Sequence, residues 1–240
     1  MGGWVSALQK RFYPTFDNHW DDEAFRQRIL KVIDKEHRML DLGAGAGIVK
    51  QMNFRGLAAQ VCGVDPDPRV ADNPYLDVAR EGLGERIPFE DSSFDIVFSA
   101  NVVEHLAAPV EVFTEIRRVL KPGGVFLFKT PNFTHYMPMI AFATPMSFHR
   151  FYNRLRGRME ADTFPTLYRA NTAGAVARVA RQSGFVVDYV DRIEGRPEYL
   201  ALAVPLFLLG LAYERIVNAV PILQAFRGLL IAQLRKPSDI

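Results

Sequence analysis

The chain has a single cysteine, Cys62, among its 240 residues. One thiol can build neither an internal disulfide framework nor a cysteine-based zinc site, and it suits a reducing, cytoplasmic setting. Long apolar runs are also missing. The longest uncharged apolar stretch, residues 199–213, has 15 residues and contains Pro205, whereas a helix that crosses a bilayer needs about 20. We read it as a core helix, with a place at a membrane surface as the alternative. Nor is there an excess of one charge: the formal net charge is +2, so the whole-molecule field neither demands nor excludes nucleic acid or membrane as a partner. The first ten residues lack the basic start and apolar stretch of an export signal, and no repeat or low-complexity tract is present. Against these absences stands a hydrophobic share of 49% with 23% charged residues, the balance of a folded chain with a sizeable core.

Short apolar runs at 38–42, 60–65, 94–99, 124–130, 185–193 and 228–235 alternate with helical spacing at 22–35, 109–120 and 172–183. Such alternation predicts a parallel sheet with helices on both faces. Asn171 or Thr172 should cap the last of these helices. We expect one domain over 1–240. It comprises a helical lead-in (1–37), a core (38–131), an inserted cap (132–170) too rich in aromatics, prolines and arginines for a simple crossover, and the rest of the sheet (171–240) with an apolar helical insertion at 198–226. Ligands of open α/β sheets sit at the carboxyl ends of the strands. Asp41, Asp65, Asn101 and Thr130 should therefore converge on one crevice.

Met39-Leu40-Asp41-Leu42-Gly43-Ala44-Gly45-Ala46-Gly47 reads as an apolar strand entering a glycine turn that opens a helix. Glycines let the backbone touch a ligand, and N–H groups at a helix start favour an anionic group. Asp65 follows Gly43 by 22 positions, at a strand end where a carboxylate can accept both hydroxyls of a ribose. A dinucleotide site would place its third glycine at position 48, which is Ile48, and a P-loop would need Lys-Ser or Lys-Thr after the glycines. Neither condition is met.

Four motifs in order, Leu40-Asp41-Leu42-Gly43-Ala44-Gly45-Ala46-Gly47, Gly63-Val64-Asp65-Pro66, Ile87-Pro88-Phe89-Glu90-Asp91-Ser92-Ser93-Phe94-Asp95-Ile96-Val97 and Arg118-Val119-Leu120-Lys121-Pro122-Gly123-Gly124, span residues 38–130. Over that span the chain resembles the class I S-adenosylmethionine-dependent methyltransferases, in particular the ubiquinone-type and other small-molecule enzymes. The resemblance implies a Rossmann-like, doubly wound α/β sheet of about seven strands, mostly parallel with an antiparallel C-terminal strand, plus the cap insertion. It implies S-adenosyl-L-methionine as cofactor. Asp41, Gly43, Ala44, Gly45 and Gly47 would hold its methionine and ribose side, Asp65 and Pro66 the ribose, and Asn101 and Val102 the far wall. Relatives often carry an acidic residue for the adenine amino group where this chain has Leu83, so Gly84 and Glu85 become the adenine-side candidates. Glu104-His105 is similar to a Glu-x-x-Glu-His metal run in some relatives. Asn101 replaces its first Glu, so no metal is expected and His105 is assigned a cofactor-side or helix-terminus hydrogen bond.

Alignment of nucleophile, methyl and sulfur supplies most of the advantage in such a transfer, and a general base adds about 10²–10⁴ in rate when the acceptor must lose a proton. His135 is the first candidate base, followed by Tyr136 and His149, since residues there follow a strand whose end faces the crevice. Packing of the cap is the alternative role for each. Residues 147–181 hold seven arginines against Glu160 and Asp162, interleaved with Phe148, Phe151, Tyr152 and Tyr168. Such a surface suits an anionic, partly apolar acceptor such as a lipid- or glycan-linked precursor, unless it is merely a solvated helix face. Nucleic acid ranks lower at a pI of about 8.7. The rival functions are a non-catalytic cofactor-binding partner or membrane-docked scaffold and a nucleotide-dependent oxidoreductase, the latter disfavoured by Ile48.

Overall fold

The computed structural model describes residues 3–14, 19–143 and 165–238. His149 and most of the arginine-rich stretch therefore lie outside the described residues. Two compact units are present: Met1–Trp20 with Pro131–Pro165 and Arg192–Leu229, and Asp21–Thr130 with Thr166–Asp191 and Leu230–Ile240.

Seven strands form the sheet: β1 (Arg38–Leu42), β2 (Gln60–Asp65), β3 (Val78–Glu81), β4 (Phe94–Ala100), β5 (Leu120–Pro131), β6 (Val186–Ile193) and β7 (Leu229–Arg235). Their order is β3-β2-β1-β4-β5-β7-β6. The first five are parallel to one another. Strand β7 runs against β5, since the Gly123 N–H donates to the Lys236 carbonyl at one end and the Asn132 N–H to the Gly228 carbonyl at the other. The expected mostly parallel sheet with an antiparallel C-terminal strand is thus present.

Strands covered on both faces read as continuous apolar runs, which explains the pattern of β1, β2 and β4. On one face Leu40, Val64, Val97 and Phe126 share a core with Val112, Phe113 and Ile116 of α3 (Pro109–Val119) and with Val176 and Val179 of α5 (Ala173–Gln182). Burying each such side chain contributes about 1.5–3 kcal/mol. Pro109 opens α3 at a position where no N–H is needed. The Ala175 N–H donates to Thr172 Oγ1 at 3.1 Å, so Thr172 is the cap of α5. On the opposite face Phe54 meets Phe98 edge-on at 5.2 Å. Arg26 of α2 (Trp20–Ile29) stacks over Phe54 at 4.8 Å and donates to the Gln51 and Asn53 carbonyls, each at 2.7 Å.

Two expectations are corrected, and one strand is added. The glycine turn does not open an α-helix: between β1 and β2 there is only a single 3₁₀ turn, Lys50–Met52. Ile48 and Val49 are β-branched, Asn53 Oδ1 turns the chain by accepting the Arg55 N–H, and Gly56 is left-handed at φ 77. The helix expected over 22–35 ends at Ile29: the Lys31 and Val32 N–H groups donate three residues back, to the Arg28 and Ile29 carbonyls, and Asp34 Oδ1 accepts the Glu36 N–H in a separate turn before β1. Strand β3, only four residues long, carries too little apolar signal to have been predicted.

In the other unit, α1 (Gly3–Phe12), α4 (Tyr136–Ala143) and α6 (Val204–Ala219) are present. Val5 and Phe207 share a small core, and the Tyr13 hydroxyl donates to Glu214 Oε2 at 3.0 Å. The core reading of the apolar stretch holds for one side of α6 only. Phe207, Gly210, Glu214 and Val217 are buried, while Leu208, Leu209 and Ile216 are exposed.

Candidate functional site

Parallel pairing brings the carboxyl ends of β1, β2, β4 and β5 to one edge, with Asp41 opposite Gly63 and Phe98, and Ala100 opposite Lys129. The glycine turn leaves β1 at this edge. Gly43, Gly45 and Gly47 have φ 82, 49 and 71, a region that side chains rarely adopt. The approach is also tight: a Cβ on Gly43 would lie 2.2 Å from Val102 Cγ2, and one on Gly47 2.2 Å from Asn73 Oδ1. Val102 thus walls the turn from the β4 side, where Asn101 itself is left-handed at φ 59. Backbone in this region for a residue other than glycine is strained and is concentrated at functional sites.

Asp65 joins two segments. Its Oδ2 accepts the Gly45 N–H at 2.9 Å and its Oδ1 the Asp67 N–H at 2.8 Å. Asn73 completes the clasp, its Nδ2 donating to the Ala44 carbonyl at 2.9 Å and the Gly45 carbonyl at 3.2 Å. Sequence reasoning missed Asn73; its position directly before Pro74, a turn-forming pair, is the signal that could have marked it. Asp41 is buried beneath the turn, and burial, followed by the nearby Asp65 charge, pushes its carboxyl up to about 8. Pro66 and Glu85 are exposed. Gly84 faces Val112, 3.1 Å from where its Cβ would stand.

Past β4 a buried polar network closes the edge. Thr130 Oγ1 donates to Glu104 Oε2 at 2.7 Å and accepts from Asn171 Nδ2 at 2.6 Å. The Glu104 carbonyl receives the N–H groups of Leu167 and Tyr168, and burial raises the Glu104 carboxyl above its usual range. His105 is partly exposed, its Nε2 4.0 Å from Glu104 Oε1. Lys129, wholly buried, reaches Asp21 at 2.6 Å and Asp22 at 2.5 Å and pins the start of α2 to β5. Neither the Thr130–Asn171 link nor the lysine pair is visible in the sequence, because each joins residues far apart along it. A separate cavity of about 630 Å³ is lined by Glu81, Gly82, Arg86, Ile87, Pro88, Glu115 and Arg118. None of these comes from the glycine turn, Asp65 or the β4 end.

His135 and Tyr136 belong to the other unit. His135 is buried with its ring 4.1 Å from that of Tyr136 and 5.6 Å from that of Tyr213. Its Nε2 lies 3.6 Å from Glu194 Oε2, which accepts the Gly228 N–H at 2.7 Å. Burial lowers the imidazole to about 4 and raises the Glu194 carboxyl to about 7.

Residues 40–128 match the model of a family described as a methyltransferase domain. Over 103 residues the chain is 35% identical to the ubiquinone biosynthesis O-methyltransferase of Cereibacter sphaeroides, covering 40% of this chain and 41% of the relative. Over 132 residues it is 33% identical to a Mycolicibacterium smegmatis protein named "Probable S-adenosylmethionine-dependent methyltransferase", covering 51% and 49%. The matched region spans half or less of each curated relative. Among solved structures, "Phospholethanolamine N-methyltransferase 2" of Haemonchus contortus, in complex with phosphomonomethylethanolamine and S-adenosylhomocysteine, has a TM-score of 0.59 at 18% identity, covering 98% of this chain and 57% of that one. The fold is that of the class I methyltransferases.

Proposed function

We propose, for a chain whose residues 40–128 match the model of a methyltransferase domain, that it transfers a methyl group from S-adenosyl-L-methionine to a small-molecule acceptor. The observation that carries this reading is the left-handed glycine turn tied through Gly45 to the Asp65 carboxylate. An ionised carboxylate offers about four acceptor directions, and Asp65 uses one per oxygen on the protein. Two directions are left for a pair of ribose hydroxyls. The buried Asp41 carboxyl, raised by burial and then by the Asp65 charge, suits the positively charged amino-acid end of the cofactor, which would return it to its ionised form. When bound, the cofactor supplies a methyl group on a sulfonium that needs no further activation. The chain's part is then to orient: the turn from Gly43 to Gly47 with Ala44 holds the amino-acid tail, Asp65 and Pro66 the sugar, Gly84 and Glu85 the base, and Asn101, Val102 and His105 the far wall.

For the acceptor we favour an anionic molecule with an apolar part, lipid- or glycan-linked, on the strength of the seven arginines within 147–181. His135 is the first candidate to take the acceptor's proton, and Tyr136 and His149 are the next. Cytoplasmic residence fits the lone cysteine. Titration calorimetry with S-adenosylmethionine, S-adenosylhomocysteine and NAD tests the reading: heat with the first two and none with NAD is expected, and no heat with either sulfur compound would end it.

A further inference from the structure

We infer that α6 and the turn after it dock on the surface of an anionic phospholipid bilayer. The inference is independent of the transfer chemistry and concerns a face that the proposed function leaves unused.

A surface helix normally turns an apolar stripe inward and charge outward. In α6 the inward stripe is Phe207, Gly210, Glu214 and Val217. The opposite pole, at the same three- and four-residue spacing, is Pro205, Leu209, Ala212 and Ile216, all exposed, with Leu209 at 63% and Ile216 at 51%. Glu214, the helix's only acid, points inward to the Tyr13 hydroxyl, and Arg215 at the margin is its only base. Both poles are therefore apolar, and the outward one carries no charge. The 3₁₀ turn Pro221–Phe226 continues the apolar surface with Ile222, 83% exposed. Helix α1 shares the Val5–Phe207 core with α6 and presents Trp4 at 81% exposure, an aromatic of the kind enriched at bilayer interfaces.

Length decides how such a helix meets a membrane. Sixteen residues span about 24 Å, short of the roughly 30 Å hydrocarbon core, and no helix among the described residues is long and apolar enough to cross. It would lie in the interface with Leu209 and Ile216 among the acyl chains. Charge selects the occupant. Among the described residues the unit bearing α6 holds six Lys and Arg against three Asp and Glu, whereas the other unit holds 19 against 20. A second copy laid face to face on this surface would bring two basic units together. Anionic head groups complement it instead.

Flotation of the full chain with phosphatidylcholine vesicles, alone or with about a third phosphatidylglycerol, tests the proposal alongside the variant L209E/I216E. Both substituted side chains are more than half exposed, so an unchanged melting temperature is the check that the variant folds. The parent should float with the anionic vesicles, several-fold less at high salt. The variant should lose about ten-fold or more of the bound fraction, since acidic side chains partition poorly into the interface. The proposal is overturned if the parent stays in the soluble fraction with anionic vesicles or if the variant floats as well as the parent. It is likewise overturned if sedimentation shows a parent dimer that the variant dissolves while vesicles capture neither.

Discussion

Asp65 and Gly45 are joined at 2.9 Å by a hydrogen bond from the Gly45 N–H to Oδ2 of the carboxylate. The end of β2 thereby sets the shape of the turn that leaves β1. The side chain proposed for the sugar also holds the backbone proposed for the amino-acid tail, so the two halves of the proposed cofactor site share one residue.

Substitution of that residue separates the two roles. Asp65→Ala should lower stability by about 1–2 kcal/mol through the lost bonds and weaken S-adenosylhomocysteine binding about 10–100-fold, equivalent to roughly 1.4–2.8 kcal/mol. Asp65→Asn, which keeps one acceptor oxygen, should restore most of the stability and little of the affinity. Calorimetry and thermal melts check this, and wild-type affinity in the alanine variant would remove Asp65 from the site.

Gly43→Ala meets two obstacles, the positive φ of 82 and a Cβ 2.2 Å from Val102 Cγ2. We expect a destabilisation of about 2–3 kcal/mol, of which left-handed strain accounts for roughly 1–2. The double variant Gly43→Ala, Val102→Ala should recover the steric part and retain the strain. Denaturant melts of the two single variants and the double variant form the cycle, and strict additivity would show that the contact is not limiting.

The raised carboxyl of Asp41 makes stability fall with pH. Its folded value is about 8 against an ordinary 3.8, so in that interval the native state holds a proton that the unfolded chain has released. Its contribution is complete below about 3.8 and is lost as pH rises through about 8. Asp41→Asn should therefore stabilise the ligand-free chain by about 1–3 kcal/mol near pH 8 and by much less near pH 5. A melting temperature gain that does not grow with pH would contradict the assignment.

His135 and Glu194 act in opposite directions. The imidazole is lowered from 6.5 to about 4, so its contribution is present above 6.5 and is lost as pH falls through about 4. Glu194 is raised from 4.5 to about 7, and its contribution is present below 4.5 and lost as pH rises through about 7. Melts across pH should show His135→Gln relieving acid destabilisation and Glu194→Gln relieving the loss towards neutrality. For catalysis, His135→Ala should cut turnover while leaving S-adenosylmethionine affinity intact, and unchanged turnover would take it out of the mechanism.

The sheet and the glycine turn were legible because both are local signals. Continuous apolar runs such as Met39-Leu40 and Val61-Cys62 mark strands buried on both faces, and closely spaced glycines mark a backbone that must turn left-handed. Strand β3 was hidden because Val78-Ala79-Arg80-Glu81 exposes half its residues at the sheet margin. The missing helix after Gly47 reflects an Asx turn at Asn53 and the left-handed Gly56, which outweigh the expectation set by the glycine motif. Asn73, Asn171 and the Lys129 pair reach partners tens of residues away, and only the folded register brings them together. The apolar run around Leu209 announced a helix but not which way it would face, since periodicity cannot separate inside from outside when both sides are greasy.

The two margins of the sheet are poor templates for further strands. At one end β3 offers four residues carrying the exposed Arg80 and Glu81; at the other, β6 presents Asp188 and Asp191, one bonded to Arg235 and the other to Arg28. Charged borders of this kind, one of them also short, resist lateral pairing between molecules. Self-assembly by ribbon extension is therefore resisted at both borders, and concentrated protein should not grow fibrils from the margins of its sheet.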